Sequence, residues 1–233
     1  APKGAKLSVP KFDLSTTEGQ IAALKSPTPN VRELGRAPLV TAGAKSIPPV
    51  KMLLDDPNGF IQARATWLLA KLGPEGLSIV ESRLTHKDPQ VRICAFRALR
   101  HENHRVMEHA EKLAGDSSPL VRREVALALR YVPFEKSRDL LLKIADGYDG
   151  KDRYYVEAFG IGCTDKKEKV YAALRKKRSG KKFDPKYAGL VWRLHPVSAV
   201  NELKGWAMDK DRDDAFRRSM LFAISLIEAP QAA

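Results

Sequence analysis

"KDPQVRICAFRALR", Lys87 to Arg100, opens on a turn signal and becomes a basic amphipathic helix. By itself it reads equally as a nucleic-acid-binding helix or as one copy of a repeating unit, and its neighbours decide between the two. The segments "PNVRELGRAPL" from Pro29, "GFIQARATWLL" from Gly59, "PQVRICAFRAL" from Pro89 and "PLVRREVALAL" from Pro119 align without gaps. Their first apolar positions, Val31, Ile61, Val91 and Val121, stand 30 residues apart. A second column holds Gly35, Ala65, Ala95 and Val125, and a third holds Leu39, Leu69, Leu99 and Leu129. Positions i, i+4 and i+8 share one face of an α-helix, so every copy presents the same apolar stripe.

A preceding helix keeps the same period. Leu24, Leu54 and Leu84 are one unit apart, and Ala114 and Ala145 continue the series less strictly. Each unit is therefore a helical hairpin. Its joints, "SPTPN", "DDPNG", "HKDPQ" and "SSPLV", place Asp or Ser ahead of Pro at a helix start, where the missing proline N–H costs nothing. A hairpin with one apolar face cannot bury it alone, so successive hairpins must stack. The pattern continues with Tyr154, Ala158 and Gly162 after a step of 33, and with Phe216, Met220 and Ile224 a further 62 residues on. The segment "YAGLVWRLHPVSAVNELKGWAM" supplies the helices between them. No segment alternates with the period of two that a strand requires. The sequence thus predicts an all-α chain, a right-handed α-solenoid of HEAT-like helical hairpins with about six repeats of about 30 residues. Residues 1–18 are expected to form an extended N-terminal segment, 19–229 a single repeat domain, and 230–233 a C-terminal tail.

Composition points to a partner without naming it. The chain of 233 residues carries 41 Lys and Arg against 28 Asp and Glu, a formal charge of +13, and such a field attracts polyanions. Much of the excess falls between Asp165 and Lys182, where nine Lys or Arg meet two acids. The ordinary reading of such a run is a solvated face. Lys176, Lys177, Arg178, Lys181 and Lys182 are nevertheless expected to form an exposed anion-attracting patch, because Ser179 and Gly180 break the helix. No apolar run reaches the about 18 residues that a membrane span needs. The first residues show neither an initiator Met nor an apolar signal core, which reads as a processed or excised end. Cys94 and Cys163 are isolated thiols, too far apart in sequence to form a CxxC site, and are expected to be buried fillers.

The arginine of the "VR" pair recurs as Arg32, Arg92 and Arg122, with Gln62 in its place once. Standing beside the turns, it is expected to hydrogen-bond them rather than a ligand. Arg100 and Arg130, one position beyond the leucine column, should be mostly exposed. Together with Arg153, Tyr155 and Trp192 they are the candidate contacts on the concave surface lined by the second helices. Trp67 occupies a position that looks equivalent to that of Trp192, and Tyr154 is assigned to the core column. His101, His104 and His109 lie close together, but no Cys or carboxylate nearby in sequence completes a standard ligand spacing. The pairs Asp55–Asp56 and Asp213–Asp214 sit at turns and helix starts, where interaction with the helix dipole accounts for them. No phosphate-binding glycine loop or serine nucleophile elbow occurs. No catalytic, cofactor-binding or metal residue is assigned, and no cofactor is expected.

The later segments carry a resemblance. "RREVALALRYVP", "YDGKDRYYVEAFGIG" and "YAGLVWRLHPVSAVNEL" make the chain from about Leu53 onward resemble the HEAT-repeat section of large bacterial membrane-bound dehydrogenase-type proteins with a haem-binding domain. Those proteins join a sugar-dehydrogenase-like β-propeller, a HEAT solenoid and a c-type cytochrome domain, and they are exported. The resemblance implies a periplasmic or exported scaffold section of a larger redox protein. There is no Cys-x-x-Cys-His here and no propeller sequence, so the redox activity of that family falls on no residue of this chain. The expected function is a non-catalytic scaffold for another protein or for neighbouring domains of the same polypeptide, with nonspecific polyanion binding as an accessory property. The competing reading is a basic HEAT-like nucleic-acid-binding protein similar to the alkylpurine DNA glycosylases.

Overall fold

The computed structural model describes Gly4, residues 11–179 and residues 183–227. The expected C-terminal tail, 230–233, and most of the first ten residues of the expected N-terminal segment lie outside the described residues. Among the described residues every regular element is helical. The chain divides into two compact units, Ala1–Val106 and Met107–Ala233. The first contains α1 (Thr17–Lys25), α2 (Pro29–Ala42), α3 (Ile47–Met52), α4 (Gly59–Leu69), α5 (Pro74–Ser82) and α6 (Pro89–His101). Within it α1 packs on α2, α3 on α4, α5 on α6, and α4 on α6. The second unit begins inside α7 (Val106–Leu113) and continues through α8 (Pro119–Ala128), α9 (Phe134–Asp146) and α10 (Arg153–Gly162). It ends with α11 (Lys167–Lys177), α12 (Pro185–Leu194), α13 (Val200–Met208) and α14 (Asp214–Ser225). Here α8, α10, α12 and α14 follow one another in a layer, each touching the next, while α9 lies on α11 and α13 pairs with α14.

The predicted columns form the core. Leu24, Leu54, Leu84, Ala114 and Ala145 are buried, as are Gly35, Ala65, Ala95, Val125 and all four leucines of the third column. In the first column Val121 is buried, but Val31, Ile61 and Val91 are half-buried. The joints behave as their chemistry requires. Asn58 accepts the Phe60 N–H at 3.0 Å, Asp88 the Gln90 N–H at 2.8 Å and Asp213 the Phe216 N–H at 2.8 Å. Gly35 holds the position filled elsewhere by Ala or Val because α1 comes too close: a Cβ there would lie 2.3 Å from the Gln20 carbonyl oxygen.

One register prediction fails. In α10 Tyr154 is 71% exposed, whereas Tyr155 is 1% exposed and lines up with the buried Phe159 and Cys163. The column is therefore Tyr155, Phe159 and Cys163, a step of 34 from Val121. The cap fixes it: Asp152 accepts the Tyr155 N–H at 3.1 Å, so the column residue is the third of the helix, as Val91 is after Asp88. The same offset from Asp184 reaches Tyr187 and Val191, both buried. Gly162, displaced from the column, faces α8 instead, where a Cβ would lie 2.5 Å from the Ala126 carbonyl oxygen.

Burial pushes the Cys163 thiol up to about 12 from 9.0, and the Tyr155, Tyr171 and Tyr187 hydroxyls also rise because desolvation disfavours their anions. A raised folded pKa means that the native chain keeps protons the unfolded chain releases. The stabilisation from Cys163 is complete below pH 9 and is lost as pH rises through about 12. Urea midpoints measured at successive pH values should therefore fall above pH 9, by up to about 1.4 kcal/mol per pH unit for each such group. In Cys163→Ala the fall should be shallower, and an unchanged slope would contradict the assignment.

Candidate functional site

The arginines and the buried lysine are candidates that the structure assigns to architecture. Arg32 donates to the Pro27 carbonyl at 2.8 Å, and Arg92 to His86 and Lys87 at 2.7 and 3.1 Å. Arg122 reaches Asp116 and Ser117, then spans to the Gly147 carbonyl at 2.8 Å and the Tyr155 hydroxyl at 3.0 Å. Gln62, the one substitute in that column, donates in the same manner to Asp56 at 2.8 Å. Lys166 is buried and donates to three carbonyls, Leu129 at 2.7 Å, Arg130 at 3.2 Å and Val132 at 2.6 Å. Tyr171 and Tyr187 both donate to one oxygen of Glu202, at 2.8 and 3.2 Å.

The predicted surface contacts divide. Arg130 is exposed with its guanidinium 5.0 Å from the Tyr131 ring, and Arg153 is exposed at the start of α10. Arg100 is half-buried rather than mostly exposed and has a partner. Tyr155 is not a surface contact: its hydroxyl donates to Ile144 at 2.7 Å inside the core, and Tyr154 is the exposed member of the pair. Trp192 is half-buried, its indole N–H buried without a hydrogen-bond partner among the described residues.

The anion patch is also smaller than the sequence implied. Arg178 is half-buried, paired with Asp184 at 2.7 Å and set over the Tyr187 ring at 5.1 Å, and so is removed from the patch. Lys177 is exposed but paired with Asp146, while Lys176 is exposed. Lys181 and Lys182 lie outside the described residues. The counter-charges come from outside the run of cations, Asp146 from 31 residues away and Asp184 from just beyond its end. The same holds for His104, whose Nε2 lies 2.9 Å from Glu81, a carboxylate that also takes Arg105 at 3.1 Å.

What remains open in the first unit is a groove of about 780 Å³. One face of α2 brings Arg32, Glu33 and Arg36 to it; α4 and the turn after it bring Phe60, Arg64, Trp67 and Lys71; α6 brings His101. On α4 these stand at helical spacing beside the core stripe of Ile61, Ala65 and Leu69, so the helix buries one stripe and offers the next. Phe60 is 78% exposed, and Trp67, 36% exposed, meets His101 edge-on with centroids 5.4 Å apart. Arg36 is neutralised by Glu33 at 2.6 Å, and Lys71 by Glu102 at 2.8 Å. Arg64 caps the end of α1 by donating to the Leu24, Lys25 and Ser26 carbonyls at 2.9 to 3.1 Å. Burial, and then the charge of Arg32, hold the Arg64 guanidinium below its ordinary pKa. Among the described residues no carboxylate pairs with Arg32 or Arg64. The groove is therefore apolar at its aromatic wall and carries two adjacent uncompensated cations. Sequence reading singled out Trp67 but not Phe60 or Arg64, since α4 is apolar around most of its circumference and its second face does not stand out from the core stripe.

Compared with known proteins, the chain matches no protein-family model and no curated protein.

Proposed function

We propose that this chain is a non-catalytic interaction scaffold, a right-handed α-solenoid of HEAT-like hairpins, about six by their sequence columns. It would serve as one section of a larger exported redox protein, holding a partner protein or neighbouring domains. The observation that carries the reading is the use made of the reactive side chains. Arg122, Lys166, Tyr171, Tyr187 and Glu202 are spent on helix ends and inter-helix hydrogen bonds, while the exposed Phe60 and Trp67 line an open groove. Such a surface fits recognition better than turnover.

The purified chain is expected to show no haem absorbance and no oxidation of sugars with an artificial electron acceptor. Sugar turnover above the buffer rate would overturn the non-enzyme reading. The +13 charge favours a second reading, nucleic-acid binding. Titrations with duplex DNA and with a sulfated polysaccharide across a salt series separate the two. The scaffold reading expects weak, comparable binding to both, lost together by about 200 mM salt, as counterion release dictates. Tight binding to DNA alone that survives that salt would replace it with the nucleic-acid reading.

A further inference from the structure

We infer that the groove of α2, α4 and α6 is a docking site for an acidic peptide segment in which one or two carboxylates flank an aromatic or large aliphatic side chain. The inference rests on the scaffold reading and names the chemistry of the partner. Three observations fix that chemistry. Phe60 and Trp67 present an apolar wall too exposed to be core, and exposed aromatic side chains beside a pocket are the usual anchors of a protein interface. Arg32 and Arg64 each lack a carboxylate, although the groove brings them together. A planar guanidinium presents its N–H groups in a fork that matches a carboxylate. Both are already anchored by backbone carbonyls, Arg32 on Pro27 and Arg64 on the end of α1, so little side-chain entropy remains to be lost on binding.

The charge count chooses between acidic partners. Glu33 and Glu102 cancel Arg36 and Lys71, leaving two cations without a carboxylate rather than a track of them. A nucleic-acid backbone places a charge at every nucleotide and would bring phosphates against Glu33, whereas one or two peptide carboxylates match the two guanidiniums and leave the acid at the rim. The groove crosses three helices, which suits an extended segment. Occupation would supply the charge that Arg32 and Arg64 lack and cover the two aromatic rings.

The test uses the full chain and a capped, fluorescein-labelled octapeptide with two Asp on either side of Leu-Phe. The controls are the same peptide with Lys for Asp, and labelled single-stranded DNA of eight thymines. Anisotropy at 50 mM salt should show saturable binding of the acidic peptide, none of the Lys peptide, and weaker binding of the DNA. Arg32→Glu should weaken it by about tenfold or more, the loss of a charge-assisted hydrogen bond plus a like-charge contact. Phe60→Ala should weaken it about threefold or more; its exposed ring can be removed without disturbing the core, and circular dichroism confirms the fold of both variants. Quenching of tryptophan fluorescence by the acidic peptide should disappear in Trp67→Phe. Equal affinity of wild type and both variants, equal affinity for the Lys peptide, or no binding of the acidic peptide would overturn the inference. Each of these leaves the scaffold reading to the turnover and salt-series measurements, which do not involve the groove peptide. DNA binding tighter than peptide binding would overturn the inference, and would overturn the scaffold reading as well if it survived about 200 mM salt.

Discussion

Leu99→Ala is expected to lower the unfolding free energy by about 2–5 kcal/mol, read as a shift of the urea midpoint with an unchanged slope. Leu99 is fully buried on α6, in the leucine column that the sequence repeats at Leu39, Leu69 and Leu129. α6 packs on both α4 and α5, so the lost side chain leaves a space between helices that are each held by other neighbours. Rigid surroundings collapse little, and the cavity cost adds to the lost transfer energy. Gln90→Ala on the exposed first turn of the same helix should stay within about 0.5 kcal/mol. A Leu99→Ala cost no larger than that of Gln90→Ala would mean that the column does not form the core.

Lys166→Met is the second large effect, at about 1.5–3 kcal/mol. The ammonium sits beyond the C-terminal end of α8, among the carbonyls of the turn that leaves the helix. It satisfies those of Leu129, Arg130 and Val132 at once. Methionine keeps the stem and the packing but donates nothing; Leu129 still accepts the Val132 N–H at 3.0 Å and Val132 the Ser137 hydroxyl at 3.4 Å, so among the described residues it is the Arg130 carbonyl that is left without a donor, at about 1–3 kcal/mol if it stays dry. Burial already lowers the Lys166 pKa, so removing the charge also removes a desolvation penalty, which offsets part of the loss. Lys169→Met provides the contrast. That lysine is exposed and paired with Glu135 at 2.8 Å across the surface, a contact worth under about 1 kcal/mol. Similar costs for the two lysines would show that Lys166 does not hold the helix end.

Arg64 and Lys166 serve their units alike, each turning a cation on the carbonyl end of a helix. Neither belongs to a motif. Both are long side chains whose targets lie more than 30 residues away, Lys25 and Leu129 among them. In a sequence they read as surface charges. The same blindness inflated the anion patch, because Asp146 and Asp184 cancel Lys177 and Arg178 from other helices or turns.

What the sequence by itself determined is the helical class, the apolar columns of the first four repeats and the capped turns between them. These depend on local rules, the 3.6-residue period and the hydrogen-bonding needs of a helix start, and local rules are written in neighbouring residues. It also determined that the "VR" arginine bonds its own turn, because those carbonyls lie within six positions of it. In α10 the Asp152 cap and the tertiary contacts together decided which tyrosine is core. "RYYVEAFGIG" is apolar on two adjacent stripes, and the choice fell to Tyr155 because its hydroxyl meets Arg122 and the Ile144 carbonyl. Tertiary structure also decided that Phe60, Trp67, Arg32 and Arg64 share one groove, and which cations there remain without a counter-charge. Column membership is a property of one helix. Adjacency and charge balance are properties of several helices packed together, and no period in the chain encodes them.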